Sequence, residues 1–452
     1  DVDGDGWYDK SEESFFDCGC DRVCPEDEGW TAADEGEADG EFQAIWIAGF
    51  GDGRPASGVH DELWSRVVAV ESGDTTVALV SLDLVGWFFD DTELVREAVV
   101  ARGVDVDLVM VHATHSHEGP DTLGQWGERV GKRGVDDGYM ALVIEQTADA
   151  VEEAVAGLQE AQLTVGAIDT AAPFGDKGTR NTVRDSRDPV VIDEMLYTAH
   201  FTATDGSSIA TVVNWGNHPE ALWSRNTELT SDYAHYMREA IEGGVHYDSY
   251  SVDGLGGTAV YINASVGGLM TPGGITVTDG EGAEFYDHSF EKAEALGKVI
   301  AELALESVET GSVASDATVS LRAAPLYIPI ENIAFQAMFL IGVFDREIFN
   351  YDAERNLDEN NTPDLYTEMN LIDIGPIRMM TVPGELFPEL AIGRHRVQIK
   401  KDGFVLYKND VVVFKNETTL LQAELIDESS LKPWYMKWWV WAGAAALVGG
   451  AV

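Results

Sequence analysis

Cysteine is scarce in this 452-residue chain and is absent after position 24. The three cysteines, Cys18, Cys20 and Cys24, include no Cys-x-x-Cys pair, which argues against a thiolate zinc site. A framework of several disulfides is excluded as well, because three thiols close at most one bond within the chain. We expect one small disulfide, between Cys24 and either Cys18 or Cys20, if the protein lies outside the cell.

Basic residues are also scarce. The chain has 29 lysines and arginines against 80 aspartates and glutamates, which gives a formal net charge of -51. A surface this acidic repels phosphate backbones, so we expect no nucleic-acid partner. Apolar residues make up 45% of the chain, enough for a large core, and they exclude global disorder. The length predicts a large enzyme domain with one or two small modules.

Residues 1–42 form an acidic, glycine-rich segment whose first twelve residues match a calcium-binding loop. Oxygen ligands at this spacing suit a hard cation, and Gly6 stands where the loop turns sharply. The predicted Ca²⁺ ligands are Asp1, Asp3, Asp5, the carbonyl of Trp7, Asp9 and Glu12. The segment resembles the calcium repeats of extracellular proteins, and the alternative is a solvated acidic linker.

Residues 43–393 predict one α/β domain. Five short runs have the length, β-branched content and polar flanks of buried strands: VALVSLDLV, VDLVMVHAT, IATVVNW, TAVYINAS and IRMMTVPG. Three stretches have apolar residues at helical spacing: TELVREAVVARG, residues 139–158 and the segment from His288. This alternation predicts a mixed or parallel sheet with helices on its faces.

The composition changes near Gly393, after which eight basic residues outnumber six acidic ones. Strand alternation over residues 394–427 predicts a small β-module that resembles a PEGA domain, common in bacterial surface proteins. Residues 432–452 are hydrophobic, with Trp and Lys at the front like an interfacial anchor. The uncharged part from Trp438 is shorter than the roughly 20 residues that span a bilayer. We expect a truncated transmembrane helix; the alternative is an interfacial or buried segment.

Histidines cluster where one predicted strand ends. The run HATHSHEGPD places His112, His115 and His117 directly after VDLVMV, and strand alternation puts His115 and His117 on the same side. Neutral imidazole nitrogen suits zinc, so the cluster predicts a site for a metal or a polar substrate group. Another histidine, His218, follows the strand IATVV in NWGNHPEAL, and Pro219 biases it toward an extended backbone. Its alternative role is a hydrogen bond within the loop.

A carboxylate, Glu385, follows a third predicted strand in the run VPGELF. Because exposed glutamates are common, only the position of Glu385 makes it a candidate ligand. In open α/β sheets, ligands bind outside the carboxyl ends of the strands, where His115, His218 and Glu385 are all expected. Two imidazoles and a carboxylate from separate strands would form an open zinc site. Zinc there would polarise a carbonyl group or acidify a bound water.

Five blocks of the central domain occur in one order: GFGDGRPASGVHDELWSRVVAV, LDLVGW, HATHSHEGPD, NHPEAL and PGELF. In this order they resemble the neutral/alkaline non-lysosomal ceramidases, which cleave the amide of N-acylsphingosine with one zinc ion. The resemblance implies that His115 and His218 bind zinc and that Glu385 is the carboxylate ligand. It implies that His117 contacts the substrate or the oxyanion, and it places the family's active-site arginine loosely at Arg180.

Two features depart from the pattern of that family. Its nucleophile region reads N-x-G-D-V-S-P, whereas this chain has NASVGGLMTP, with Leu269 at the aspartate and Thr271 at the serine. The attacking group is therefore Thr271, Ser265 or a zinc-bound water, unless the loop is only a glycine-rich turn that supports the sheet. The family's tyrosine ligand has no counterpart in a matching context. The fourth zinc ligand is then water, or the catalytic domain is incomplete.

These observations predict a zinc-dependent amidohydrolase of N-acylsphingosine or a related lipid-like N-acyl substrate, with His117, Thr271 and Arg180 in catalysis. The alternative is a catalytically inactive, calcium-binding adhesion protein built on the same domain. A third possibility is a zinc hydrolase of another amide or ester. The terminal segments predict an extracellular or bacterial cell-surface location, with membrane contact through the C-terminal segment.

Overall fold

The computed structural model describes residues 44–171, 181–270, 272–358, 361–391, 393–399 and 407–413. The chain packs into two units, Asp1–Leu386 and Phe387–Val452. Five predicted features lie outside the described residues: the calcium loop, the disulfide of Cys24 with Cys18 or Cys20, Arg180, Thr271 and the hydrophobic segment 432–452.

Strands and helices alternate along the first unit. Its strands are β1 (Gly58–Val59), β2 (Ser65–Ser72), β3 (Thr75–Leu82), β4 (Leu108–Ala113), β5 (Ala161–Asp169), β6 (Met195–Ala203), β7 (Ser208–Trp215), β8 (Glu228–Leu229), β9 (Gly244–His246), β10 (Ser251–Asp253), β11 (Thr258–Asn263), β12 (Val277–Thr278), β13 (Glu284–Phe285), β14 (Ser312–Val313), β15 (Val319–Pro329), β16 (Asp364–Ile374) and β17 (Ile377–Met380). Its helices are α1 (Phe89–Ala101), α2 (Asp137–Ala156), α3 (Tyr233–Gly243), α4 (Phe290–Glu309) and α5 (Ile333–Leu340).

Two mixed sheets form the centre of the first unit. The larger has the strand order β11-β7-β6-β5-β14, in which β11 and β7 are parallel and the other neighbours are antiparallel. The smaller has the order β2-β3-β4, with β3 and β4 parallel. A third, antiparallel sheet consists of β15, β16 and β17. The parallel pairs matter for the site, because the carboxyl ends of parallel strands lie at the same edge of a sheet.

A buried apolar layer fills the space between the two central sheets. Val77 and Leu79 of β3 lie in this layer, whereas Val80 and Leu82 lie on the opposite face, as the two-residue period of a strand requires. The five-stranded sheet contributes several side chains to the same layer, among them Leu163, Phe201, Val212, Val260 and Ile262. The two sheets therefore pack face to face.

Helices cover the outer face of each sheet. Helices α1 and α2 pack on the three-stranded sheet through Val95, Val99, Ala148 and Val151. Helices α3 and α4 pack on the five-stranded sheet, and they approach closely at Gly297, where a β-carbon would lie 2.7 Å from the carbonyl oxygen of Tyr233. The centre of the first unit thus has four layers, helices, sheet, sheet and helices, and the third sheet packs on the same apolar layer through Val319, Ile372 and Ile374.

The predicted class, an α/β fold with mixed sheet and flanking helices, is confirmed. The five predicted strands correspond to β3, β4, β7, β11 and β17, and the three predicted helices to α1, α2 and α4. The structure differs from the prediction because two sheets are stacked where one was expected. A strand buried on both faces has the same sequence pattern whether its second face meets a helix or another sheet, so the pattern does not separate these cases.

The second unit is described over α6 (Pro388–Ala391), β18 (Gly393–Ile399) and β19 (Tyr407–Val413). Strands β18 and β19 pair antiparallel along their whole lengths. They fall in the segment predicted as a β-module, whose PEGA-like character stays a prediction. None of the helices in the described ranges of either unit is long and apolar enough to cross a membrane.

A buried ion pair joins the end of β3 to α3. Nη1 and Nη2 of Arg238 donate to the two carboxylate oxygens of Asp83 at 2.6 and 2.7 Å, and both side chains are at most 2% exposed. Replacing one partner leaves the other charge unpaired in the interior, so Asp83→Ala should lower the free energy of unfolding by about 3–5 kcal/mol. Urea unfolding followed by circular dichroism measures this change.

Asp149→Ala is the matched control, because Asp149 is also a carboxylate paired with an arginine. Its partner is Arg102, and more than half of the Asp149 side chain is exposed to solvent. Exposed pairs contribute little to stability, so the control should unfold close to the wild type. Equal losses in the two variants would contradict a stabilising role for the buried pair.

Candidate metal centre

The three predicted metal-binding side chains follow strands of three different sheets. His115 comes two residues after β4, His218 three residues after β7 and Glu385 five residues after β17. Strand β4 belongs to the three-stranded central sheet, β7 to the five-stranded sheet and β17 to the third sheet. The site is therefore assembled from loops that no single sheet holds together.

The side chains of these loops converge. Nε2 of His115 lies 3.3 Å from Oε1 of Glu385, and Nε2 of His218 lies 3.6 Å from Oε2 of the same carboxylate. Nε2 of His117 lies 3.3 Å from Nε2 of His115. One ligand nitrogen from each of the three histidines lies within 4.8 Å of the others. Two nitrogens on one tetrahedral zinc ion are roughly 3.4 Å apart, so the separations are those of a metal centre.

The second ring nitrogen of two histidines faces an oxygen atom. Nδ1 of His115 lies 2.6 Å from the carbonyl oxygen of Val85, which only accepts hydrogen bonds, so Nδ1 carries a proton. Nδ1 of His117 lies 3.0 Å from Oε1 of Glu220. Carbonyl and carboxylate partners of this kind are typical of metal-binding histidines, and the donor set of imidazoles and carboxylate fits zinc.

The local backbone also holds His115 in place. Its φ of 69° lies in the left-handed region, which residues other than glycine rarely adopt. The N–H of His115 donates to the carbonyl oxygen of Leu84 at 2.9 Å, so both the backbone and the ring are tied to the loop that follows β3. Backbone strain of this kind collects at functional sites, where the surrounding structure maintains it.

Burial and neighbouring charges set the protonation of the three histidines and of Glu385. Burial, then the charges of His115 and Arg54, lower the pKa of His117 well below its usual value. Burial also lowers the pKa of His218. At His115 burial acts in the same direction, but the contact with Glu385 outweighs it and raises the pKa. Contacts with His115 and then His218 hold the pKa of the Glu385 carboxyl far below its usual range. The ionised carboxylate and the lowered pKa values of His117 and His218 match the forms that bind metal, whereas a bound metal ion would displace the proton that Glu385 favours on His115.

A buried arginine, which the sequence analysis missed, supports the His117 loop. Arg54 is 1% exposed, and its guanidinium donates to the carbonyl oxygens of Ala48 and His117. Its neighbour is the carboxyl of Glu118, whose Oε2 lies 3.4 Å away in an equally buried position, where burial raises the pKa of Glu118 well above its usual value. Arg54 stands in the block GFGDGRP, which carried the family resemblance, but no local pattern shows which of its residues reaches the site.

Aromatic rings form a row beside the metal centre. The ring of Phe50 lies 5.2 Å from that of His117 and 5.0 Å from that of Trp223, between centroids. Trp223 in turn stacks on His288 at 5.1 Å with ring planes 16° apart. Phe50 and Trp223 are half-buried and His288 is exposed, so the row leads from His117 toward solvent. It presents an apolar surface next to the metal-binding side chains.

The structure thus brings together His115, His117, His218 and Glu385, the four residues on which the predicted site depends. His112 lies within β4 rather than in the loop. Ser265 is buried, and its carbonyl oxygen would lie 2.8 Å from a β-carbon at Gly216. The predicted roles of Thr271, Arg180 and the calcium ligands fall on residues outside the described ranges and stay predictions.

Known structures share this fold. A neutral ceramidase from Pseudomonas aeruginosa matches with a TM-score of 0.57 and 16% identity, over 75% of this chain and 60% of that chain. A ceramidase complexed with C2 matches with a TM-score of 0.54 and 17% identity, over 76% of this chain and 61% of that chain. The chain therefore has a ceramidase-like fold and spans about 60% of the length of these neighbours. No protein-family model and no curated protein matches its sequence.

The residue that leaves room for His117 is Gly49. Its φ is 116°, and a β-carbon there would lie 2.5 Å from Cβ of His117. Gly49→Ala must displace His117, whose Nε2 lies 3.3 Å from that of the ligand His115, so we expect zinc affinity to fall by roughly tenfold, as when a group that supports a metal ligand is disturbed. Titration of zinc against a chromogenic chelator measures the dissociation constant.

Gly103→Ala is the control for backbone strain. Gly103 also has a positive φ, 75°, but a β-carbon there meets no atom within 4 Å. We expect this variant to lose some stability and to keep the zinc affinity of the wild type. Unchanged zinc affinity in folded Gly49→Ala would show that the metal site does not depend on the space at Gly49.

Proposed function

We propose that this protein is a zinc-dependent amidohydrolase that acts on N-acylsphingosine or a related lipid-like N-acyl substrate. The observation that carries the proposal is the convergence of three imidazoles and one carboxylate at separations of 3.3–3.6 Å. The ceramidase-like fold supports the reaction class, since the neighbours are named as ceramidases. Because these neighbours are only 16% and 17% identical to the chain, their fold does not define the substrate, which stays part of the proposal.

His115, His218 and Glu385 would hold the zinc ion. Bound there, zinc would polarise the scissile carbonyl group and lower the pKa of a coordinated water. Contacts within the protein hold these ligands in position. The carbonyl oxygen of Val85 orients the ring of His115, and the carboxylate of Glu385 contacts both His115 and His218. A ligand set held in its binding geometry loses less freedom when the ion binds.

His117 has a role beside the ligands. Its Nδ1 faces Glu220 and its Nε2 lies beside that of the ligand His115, so this Nε2 would contact the attacking group or the oxyanion. The side chains that could attack are Thr271, outside the described residues, and Ser265; the third candidate is water.

The proposed substrate is apolar beside its amide. The row formed by Phe50, Trp223 and His288 supplies a surface on which an acyl or sphingoid chain would lie. A net charge of -51 makes an anionic polymer an unfavourable partner. Calcium binding, a bacterial-surface or extracellular location and membrane contact through the C-terminal segment remain predictions from the sequence.

The test is metal content and hydrolysis in the full chain and in His115→Ala. We expect the wild type to bind zinc stoichiometrically and to release fatty acid from N-acylsphingosine in a chelator-sensitive reaction. His115→Ala removes a ligand, so zinc affinity and rate should both fall by roughly 100-fold or more. His246→Ala, an exposed histidine of β9, is the control and should behave as the wild type.

Other outcomes would separate the alternatives. A His115→Ala variant with wild-type zinc content and rate would refute the proposal. Calcium binding without zinc or hydrolysis would support the inactive adhesion protein. Zinc-dependent hydrolysis of simple acyl amides or esters, with no activity on N-acylsphingosine, would support the proposed metal site and refute the proposed substrate.

A further inference from the structure

The two metal-binding histidines come from different sheets, and no strand ladder sets the distance between them. His115 follows β4 in the three-stranded sheet, and His218 follows β7 in the five-stranded sheet. The carboxamide of Asn263 bonds both of these loops. We propose that Asn263 is a positioning residue that fixes the separation of His115 and His218 and thereby sets the zinc affinity of the site.

The contacts of Asn263 reach the residue before each histidine. Its Nδ2 donates to the carbonyl oxygen of Thr114 at 2.9 Å and to that of Asn217 at 2.8 Å. Thr114 immediately precedes His115, and Asn217 immediately precedes His218. One planar amide group therefore holds two backbone carbonyls, each one residue from a metal ligand.

The acceptor side of the same amide is also in use. Oδ1 of Asn263 accepts from the backbone N–H of Asn217 at 3.0 Å and from the hydroxyl of Tyr261 at 3.0 Å. Because both partners of Nδ2 are carbonyls and these partners of Oδ1 are donors, the two ends of the amide are not interchangeable. The Asn263 side chain thus has one orientation, and Asn217 is bonded to it through both its N–H and its carbonyl.

The position of Asn263 suits a link between sheets. It is the last residue of β11, which pairs in parallel with β7 and places Asn263 opposite Trp215. Strand β11 also touches the other sheet, since the hydroxyl of Ser81 on β3 donates to the carbonyl oxygen of Tyr261 at 2.6 Å. Asn263 is 8% exposed, and hydrogen bonds shielded from water in this way hold their geometry firmly.

A second, weaker link lies on the other side of the histidines. The N–H of His117 donates to the carbonyl oxygen of Pro219 at 3.3 Å. The Asn263 bonds join the residues that precede His115 and His218 in sequence. The bond between His117 and Pro219 joins residues that follow them. The Asn263 bonds are shorter and there are three of them to the two loops, so Asn263 supplies most of the restraint.

The inference rests on the proposed zinc site and has its own test, in which activity is not the readout. Asn263→Ala removes every bond of the side chain, and Asn263→Ser keeps one hydroxyl that can serve one carbonyl but not both. We expect zinc affinity to fall roughly 10- to 100-fold in both variants, the range for residues that orient metal ligands. Competition with a chromogenic chelator measures the affinity, and thermal unfolding shows that each variant is folded.

Asn214→Ala is the matched control. Asn214 is a half-buried asparagine of β7, next to the same strand pair, and its Nδ2 donates to the carbonyl oxygen of Ile262 at 2.9 Å. It holds neither histidine loop, so its loss should cost stability without changing zinc affinity. Cobalt(II) in place of zinc adds a spectroscopic readout, since its visible absorption bands report the arrangement of its ligands. We expect altered bands in Asn263→Ser and wild-type bands in Asn214→Ala.

Three outcomes would overturn the positioning role. Wild-type zinc affinity and cobalt bands in folded Asn263→Ser overturn the positioning role, whether or not Asn263→Ala folds. A loss of affinity in Asn214→Ala equal to that in Asn263→Ser overturns it as well, because the effect would then be general destabilisation. A wild-type chain that binds neither zinc nor cobalt refutes the proposed metal site and the positioning role together.

Discussion

The packing of two sheets face to face is the constraint on which the candidate metal centre depends. Apolar side chains such as Leu79 and Val212 fill the space between the sheets and fix how far apart the layers lie. Strands β4 and β7 end at the rim of this layer, so their loops bring histidines to one site from two sides. Apolar packing sets the coarse distance, and the hydrogen bonds of buried polar groups at the rim set the fine distance. The centre is therefore a property of the whole sandwich and not of one loop.

Three of the basic residues of this acidic chain lie in its interior. Arg54, Arg238 and Lys292 are each at most 1% exposed. Arg54 holds the His117 loop, Arg238 joins α3 to the end of β3, and Nζ of Lys292 donates to three backbone carbonyls, those of Pro272, Ile275 and Tyr286. A buried cation needs several fixed acceptors, so each one ties together segments that are distant in sequence. The three buried cations thus hold together segments that form loops around the core.

The strands and the ligands of the site were predictable because their signals are local. Alternation and β-branched content mark β3, β4, β7 and β11, and histidines next to strand ends mark His115, His117 and His218. The stacking of the sheets was not predictable, because an apolar strand face has the same sequence pattern whether it packs on a helix or on another sheet. Nor were Arg54, Glu220 and Asn263, whose roles come from partners far along the chain. An asparagine at the end of a strand is a common turn residue, and only the three-dimensional structure shows that it bonds two carbonyls from different sheets.

The wide spread of the ligands along the chain has a consequence for how the protein matures. The side chains of the centre are spread along the chain from His115 to Glu385. They come into contact only when β4, β7, β11 and β17 are all in their native positions. Contacts between such distant segments form late, because the entropy of closing long loops must be overcome first. A divalent ion would therefore find no ready-made ligand set in a nascent or partly folded chain. It would bind the folded chain and stabilise it by mass action, so the supply of metal would act on the lifetime of the native protein.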